Sequence, residues 1–433
     1  MKKIITLILF ASLLLTGCSA AAAYGTTATS SENGSITITE AGTYTITETI
    51  DDGSIIIDAS DNDTVELILD GCSVTSSDSA AVYVKNAGEV IITTTEGSVN
   101  TLTNITGFEA DGDTNVDGVI FSKDDLTIRG EGTIIISSAD HGIVSKDSLV
   151  IDGSSITITA SGDGCQANDD LVVNGGTIDI TECVEGLEGN TVTINGGDIT
   201  LTASDDGINA SGEAGDSMMG DSTCLIEING GTLDITSYGD GIDSNGDLTI
   251  TGGYITVSGP ENGGNGSIDY AGSGTITGGT IIAAGMSGME MNMTEATQGS
   301  ILVSVGNQSS GTSVTVIDSS GNEIISFTPS TTYSCVLISS PDLLIGETYT
   351  ITVDGSSQEV TLDDYIYGQS MGFGGFGGFG GEQGGPGGQM PPQMPDGQMP
   401  DLSEFEGQTP PDFNGELPEP PEGFDGRQPD QPT

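Results

Sequence analysis

Between Arg129 and Gly279 the chain repeats itself. Each unit has a short apolar run, a glycine turn, a second alternating run, and an acidic residue followed by Gly and an aliphatic. The turns fall at Asn174-Gly175-Gly176, Asn195-Gly196-Gly197, Asn229-Gly230-Gly231, Thr251-Gly252-Gly253 and Thr277-Gly278-Gly279, with Asp152-Gly153 and Arg129-Gly130 upstream. The steps between them are 23, 22, 21, 34, 22 and 26 residues. A period of this length, with β-type residues and no helical apolar spacing, predicts a solenoid of stacked coils. Successive strands of such a stack lie about 4.8 Å apart. Equivalent residues therefore form columns, and a column of acids is a place for cations.

The expected fold is all-β. A parallel β-helix is assigned to residues 35–298, a span that allows about eleven coils or fewer. Residues 299–363 read as further strands, a small β domain or cap, since solenoid ends need covering. The 34-residue step holds an insertion near Gly212 to Asp221, with Met218 and Met219 inside it, expected to protrude as a loop. Residues 364–433 are a Gly/Pro-rich acidic tail that carries twelve of the fifteen prolines and Gly-Phe-Gly-Gly repeats with Phe373, Phe376 and Phe379. Such a composition buries too little apolar surface to fold alone and is expected to be disordered.

The first residues read as an export signal, 1–17. Lys2 and Lys3 precede the apolar run Ile4 to Leu15, and Leu15-Thr16-Gly17-Cys18 closes it. The run is too short for a permanent span. Its ending resembles the lipobox of bacterial lipoproteins, which implies cleavage before Cys18 and a lipid on its thiol. Residues 18–34 then serve as a tether, and the protein is extracytoplasmic and lipid-anchored to the cell membrane. The five other cysteines are an odd number, which argues against a complete disulfide framework. Cys165 stands where other coils carry Ile143, Leu187, Ile208 and Ile242, and reads as a core residue.

The formal charge is −57, with seven Lys and Arg in all. Such a surface repels nucleic acid, so no nucleic-acid partner is expected. It repels polyanions too unless cations intervene. No signal points beyond a monomer.

Aligning the coils on the residue before Gly gives one acidic column, Asp117, His141, Asp163, Glu185, Asp206 and Asp240. A second column holds Val144, Gln166, Glu188, Asn209 and Asp243, continuing to Asp269. Two unit charges one coil apart repel by about 0.9 kcal/mol in water and by a few kcal/mol when partly buried. Calcium relieves this, because it takes six to eight oxygen ligands in irregular geometry. Ca²⁺ is therefore the expected cofactor. Its candidate ligands are Asp163, Glu185, Glu188, Asp205, Asp206, Asn209, Asp240 and Asp243. A solvated acidic face or isolated turn-forming aspartates account for the same residues without metal.

No nucleophile stands at a diagnostic spacing. A lyase for acidic sugars needs a base, and the candidates are His141, the chain's single histidine, and Lys146, with Lys85, Lys123 and Arg129 nearby. Pairing with the surrounding acids would raise the pKa of Lys146 and disable it as a base. Threonines recur at Thr157, Thr159, Thr181, Thr200, Thr202, Thr236 and Thr256, as β propensity on a wet face requires. Tyr238, Tyr254 and Tyr270 are candidates for stacking on sugar rings, in a chain without Trp.

The run Ala41 to Ile46, then Val65 to Cys72, Ser79 to Ala87 and Gly97 to Leu102, and the repeats Asp206-Gly207-Ile208-Asn209-Ala210 and Asp240-Gly241-Ile242-Asp243-Ser244, together resemble the clostridial-type β-helix carbohydrate-binding domain family, related in fold to pectate lyases. The resemblance covers roughly residues 35–363. It implies a right-handed parallel β-helix, bound calcium, and binding of cellulose or of acidic polysaccharide such as polygalacturonate, without established catalysis. His141 and Glu185 depart from the Asp-Gly-Ile pattern. The function expected is calcium-dependent polysaccharide binding at the cell surface. Its rivals are a pectate-lyase-like enzyme and a structural adhesin or spacer.

Overall fold

In each coil an apolar side chain alternates with a polar one, so one face of every strand must turn away from water. Parallel strands stacked coil on coil satisfy both that demand and the backbone hydrogen bonds. A computed structural model describes residues 28–30, 34–212 and 223–370 and shows this arrangement. Two sheets run the length of the solenoid. One is made of the short strands Ile36–Ile38, Ile55–Asp58, Val82–Asn86, Gly118–Ser122, His141–Ser145, Cys165–Ala167, Leu187–Gly189, Ile208–Ala210, Ile242–Ser244 and Asp269–Tyr270, all parallel. The other, larger sheet wraps the remaining sides of the coils.

The inward column of the short-strand sheet is Ile55, Val82, Ile120, Ile143, Cys165, Leu187, Ile208 and Ile242, in unbroken register and wholly buried. Cys165 holds the place expected of it. Each full burial of an aliphatic contributes about 1.5–3 kcal/mol. The other described cysteines are also buried, and none of the described ones forms a disulfide.

The glycine turns are corners of the larger sheet. The last glycine of each turn, from Gly176 (φ 100°) to Gly253 (φ 90°), is in the left-handed region that a side chain disfavours. The asparagines before them stack. Asn195 Nδ2 donates to Asn174 Oδ1 at 2.9 Å, Asn229 Nδ2 to Asn195 Oδ1 at 3.0 Å, and Thr251 Oγ1 to Asn229 Oδ1 at 2.7 Å.

Both ends of the stack abandon parallel pairing, which shields the open strand edges. At the start Ala28–Ser30 pairs antiparallel with Ile36–Ile38, so part of the expected tether is in the sheet. At the other end Thr280–Gly285 is two-faced. Ile281 and Ala283 join the solenoid core, and Ile282 and Ala284 join a second core. Tyr333–Ser340 pairs antiparallel with this strand and with Gly299–Gln308. A four-stranded antiparallel sheet, Val314–Ile317, Glu323–Phe327, Thr348–Val353 and Ser356–Thr361, completes the cap.

Order extends past residue 363, into what the sequence assigns to the tail. Ile366–Tyr367 pairs with Ser300–Ile301, and Asn292 Nδ2 donates to the Tyr367 carbonyl at 2.8 Å. The export signal, Cys18, the insertion with Met218 and Met219, and the tail from 371 onward lie outside the described residues. Among the described residues no helix is long and apolar enough to cross a membrane.

Candidate cation-binding face

The outward side of the short-strand sheet carries the second predicted column. Its register is Tyr83, Phe121, Val144, Gln166, Glu188, Asn209, Asp243 and Asp269. From Val144 onward this is the order expected from sequence. The upstream part is apolar and covered. Tyr83, Phe121 and Val144 form a small separate core with Ala80 and Val116, and Phe108 packs against it.

The first column needs one correction. Ile120, not Val119, pairs with Ile143, so Gly118 stands opposite His141 and Asp117 falls one residue outside the expected row. The strand Gly118–Ser122 is buried throughout, and an additional residue there is absorbed by packing on both faces.

Side chains of the first column stitch the coils together. Asp163 Oδ1 accepts the Glu185 N–H at 3.0 Å, Asp206 Oδ1 accepts the Asp240 N–H at 2.6 Å, and Asp240 Oδ1 accepts the Gly266 N–H. Glu185 breaks the series. Its longer side chain instead accepts Asn209 Nδ2 at 2.9 Å.

The column is divided by charge. Every basic residue of the described part, Lys85, Lys123, Arg129 and Lys146, lies in the upstream coils. Lys85 Nζ lies 2.6 Å from Asp111 and above the Tyr83 ring. Lys146 Nζ lies 3.8 Å from Asp117 and above the Phe121 ring, so this candidate base is committed to an acid and an aromatic face. The Asp163 backbone N–H donates to His141 Nδ1 at 2.8 Å, and Asp163 Oδ2 lies 2.9 Å from the same nitrogen. Burial alone would depress its pKa, but the Asp163 hydrogen bond and the charges of Asp163, Asp140 and Asp117 raise it further. His141 is thereby tied to the acids that surround it in the column.

Among the described residues no Lys or Arg lies downstream. Burial pushes Glu185 up to about 8, helped by the charge of Glu188. Burial likewise pushes Asp240 up to about 8 against its Gly266 hydrogen bond, with Asp206, Asp243 and Asp269 adding to the rise. Burial raises Asp269 too.

The predicted ligands separate accordingly. Asp206, Asp240 and Asp243 bring carboxylate oxygens within 4.8 Å of one another. Asn209 stands beside Asp243 in register, is 4% exposed, and its Oδ1 is buried without a hydrogen-bond partner. Asp205 lies over the same coil. A Cβ on Gly239 would sit inside the radii of the Asp205 and Asp206 carboxylate oxygens. Asp163, Glu185 and Glu188 are outside this group. Glu188 accepts Gln166 Nε2 at 2.6 Å and Ser211 Oγ at 3.1 Å.

The tyrosines differ. Tyr238 is 49% exposed and Tyr254 42%. Tyr270 is 3% exposed and its hydroxyl donates to the Asn292 carbonyl at 2.5 Å, so it is a core residue with no face for a sugar. The threonine columns are interrupted, for Asp179 pairs between Thr157 and Thr200, and Asp234 between Thr200 and Thr256.

Sequence reasoning missed the neutralised upstream half and the orphan oxygen of Asn209. Within the coil region the confinement of Lys and Arg to residues 85–146 was the available signal for the first. The second depends on burial and had none.

A protein of Acetivibrio thermocellus described as a carbohydrate-binding domain-containing protein is 34% identical over 112 residues, 25% of this chain. The match spans 39% of that relative's own length. A solved structure described as that of the polysaccharide lyase-like protein from C. thermocellum, a gadolinium derivative, is 29% identical, with 57% of this chain and 89% of that chain covered and a TM-score of 0.44. A family model for carbohydrate-binding domain-containing proteins matches residues 32–216 and 184–283. These matches take in more than half of the sequence, and the chain belongs to the carbohydrate-binding domain-containing protein family.

Proposed function

We propose that the chain binds polysaccharide through a site assembled around calcium, held between the coils of Asp206 and Asp240. The buried, unpartnered Oδ1 of Asn209 beside three clustered carboxylates carries this reading. A buried amide oxygen without a donor costs about 1–3 kcal/mol. A cation turns that cost into a ligand bond. The donors are all hard oxygens from short side chains, which fits calcium and disfavours softer metals. The raised pKa of Asp240 supports the same reading, since a neighbouring divalent charge is what would let these acids ionise together.

When bound, calcium would hold sugar oxygens in the part of its shell that the protein leaves open. The chain's own part is to fix Asp206 and Asp240 through the amides of the next coil and to keep Asn209 dry. Elemental analysis of protein purified without chelator should return calcium. Polysaccharide pull-down should succeed in calcium and fail in EDTA. Metal-free protein that binds polysaccharide equally well in EDTA would refute the proposal. The lipobox-like ending at Cys18 supports display at the cell surface on a lipid anchor, which the mass of the mature N-terminus tests.

A further inference from the structure

Side chains of the first column share one role, and Glu185 is the exception. His141 Nδ1 accepts the Asp163 N–H, Asp163 Oδ1 the Glu185 N–H, Asp206 Oδ1 the Asp240 N–H and Asp240 Oδ1 the Gly266 N–H. Each serves the backbone of the coil after its own. Glu185 has a longer side chain than the aspartates and accepts a side-chain donor of the next coil, Asn209 Nδ2, at 2.9 Å. The other nearby carboxylate is engaged elsewhere. Glu188 stands opposite Asn209 in register, but its two oxygens accept Gln166 Nε2 and Ser211 Oγ.

Which way the Asn209 amide faces decides what it can hold. An amide has a donor end and an acceptor end, and only the oxygen can bind a hard cation. An ionised carboxylate accepts and cannot donate, so Glu185 in that form admits only the Nδ2 end. The amide is planar and its two ends diverge. With Nδ2 turned to the coil of Glu185, the oxygen is turned away from that coil. On the far side lies the coil of Asp243, which pairs with Asn209 in register. Asn209 Oδ1 is buried without a partner, and Asp243 belongs to the cluster with Asp206 and Asp240, from which Glu185 is absent. Resting on the function proposed above, we infer that Glu185 is a positioning residue of the cation site, which holds the Asn209 amide nitrogen and so presents Oδ1 to the ion without touching the ion itself. Carboxylates behind a metal ligand act in this way, fixing its orientation.

The test is calorimetric titration of calcium into the full chain and into Glu185→Asp and Glu185→Gln, each alone and combined with Asn209→Asp. It is run at pH 9, above the value of about 8 to which burial pushes Glu185, so that the carboxylate is ionised in every sample that has one. Glu185→Asp keeps the charge but has the length of Asp163 and Asp206, which serve the backbone of the next coil, and so it releases Asn209. Calcium affinity should fall about tenfold in Glu185→Asp and at least as far in Glu185→Gln. An aspartate at position 209 offers oxygen at both ends and needs no orienting. In the Asn209→Asp background the same two changes should therefore alter affinity by less than about twofold. Melting curves in EDTA follow folding apart from calcium; should Glu185→Asp fail to fold, Glu185→Gln in the two backgrounds gives the same comparison. Unchanged affinity in the single variants overturns the role of Glu185 and leaves the cation site standing. An equal loss in both backgrounds also overturns it, since Glu185 would then act without Asn209. Absence of calcium binding by the unaltered protein removes the proposed function together with this inference.

Discussion

The backbone N–H of Asp240 donates to Oδ1 of Asp206, 2.6 Å away in the preceding coil. One side chain thereby serves two purposes, joining adjacent coils and setting a carboxylate beside those of Asp240 and Asp243. Aspartate has the length for this. Glutamate at the same place, Glu185, passes its neighbour and reaches Asn209.

Asp243→Asn keeps the shape of the side chain and removes a charge from the cluster. Calcium affinity measured by calorimetry should fall at least about tenfold, given how strongly ligand charge sets affinity at such sites. Asp163→Asn should stay within about twofold of the unaltered protein, because Asp163 faces the imidazole of His141.

Gly239→Ala forces a methyl group into the Asp205 and Asp206 carboxylates. Such overpacking costs about 1–3 kcal/mol. Thermal melts should show the loss, and calcium affinity should drop with it. An unchanged melt would mean that both side chains swing aside at no cost.

In EDTA the protein should be less stable at pH 9 than at pH 5. Asp240 and Glu185 titrate near 8 when folded and near about 4 when unfolded. Between those values the folded state binds more protons than the unfolded one, so stability falls as pH rises. The benefit is complete below about 4 and gone above about 8. Calcium should remove the part of the slope due to Asp240, and Glu185→Gln the part due to Glu185. Equal melting temperatures at the two pH values would contradict the buried, uncompensated state of these acids.

Asn195 is the middle of the asparagine ladder, donating to Asn174 and accepting from Asn229. Its replacement by Ala removes both bonds at a solvent-facing corner. Chemical denaturation should show a loss of about 1 kcal/mol, with calcium binding unaltered.

The sequence alone determined whatever recurs at a constant step. Cys165 fell in the column of Ile143 and Leu187 because strand alternation has period two and coil length hardly varies, so equivalent residues must stack. The same regularity placed Gln166, Glu188, Asn209 and Asp243 in one outward row. Tertiary structure decided what irregular segments and burial control. Asp117 slipped out of its row because the strand that follows it accommodates an additional buried residue. Lys146 became an internal counter-ion and His141 a hydrogen-bond partner because packing brought them against Asp117 and Asp163. Tyr270 turned inward while Tyr238 remained outside. Periodicity sets which residues share a column, whereas the charge a column keeps depends on desolvation and on what lies beside it in space.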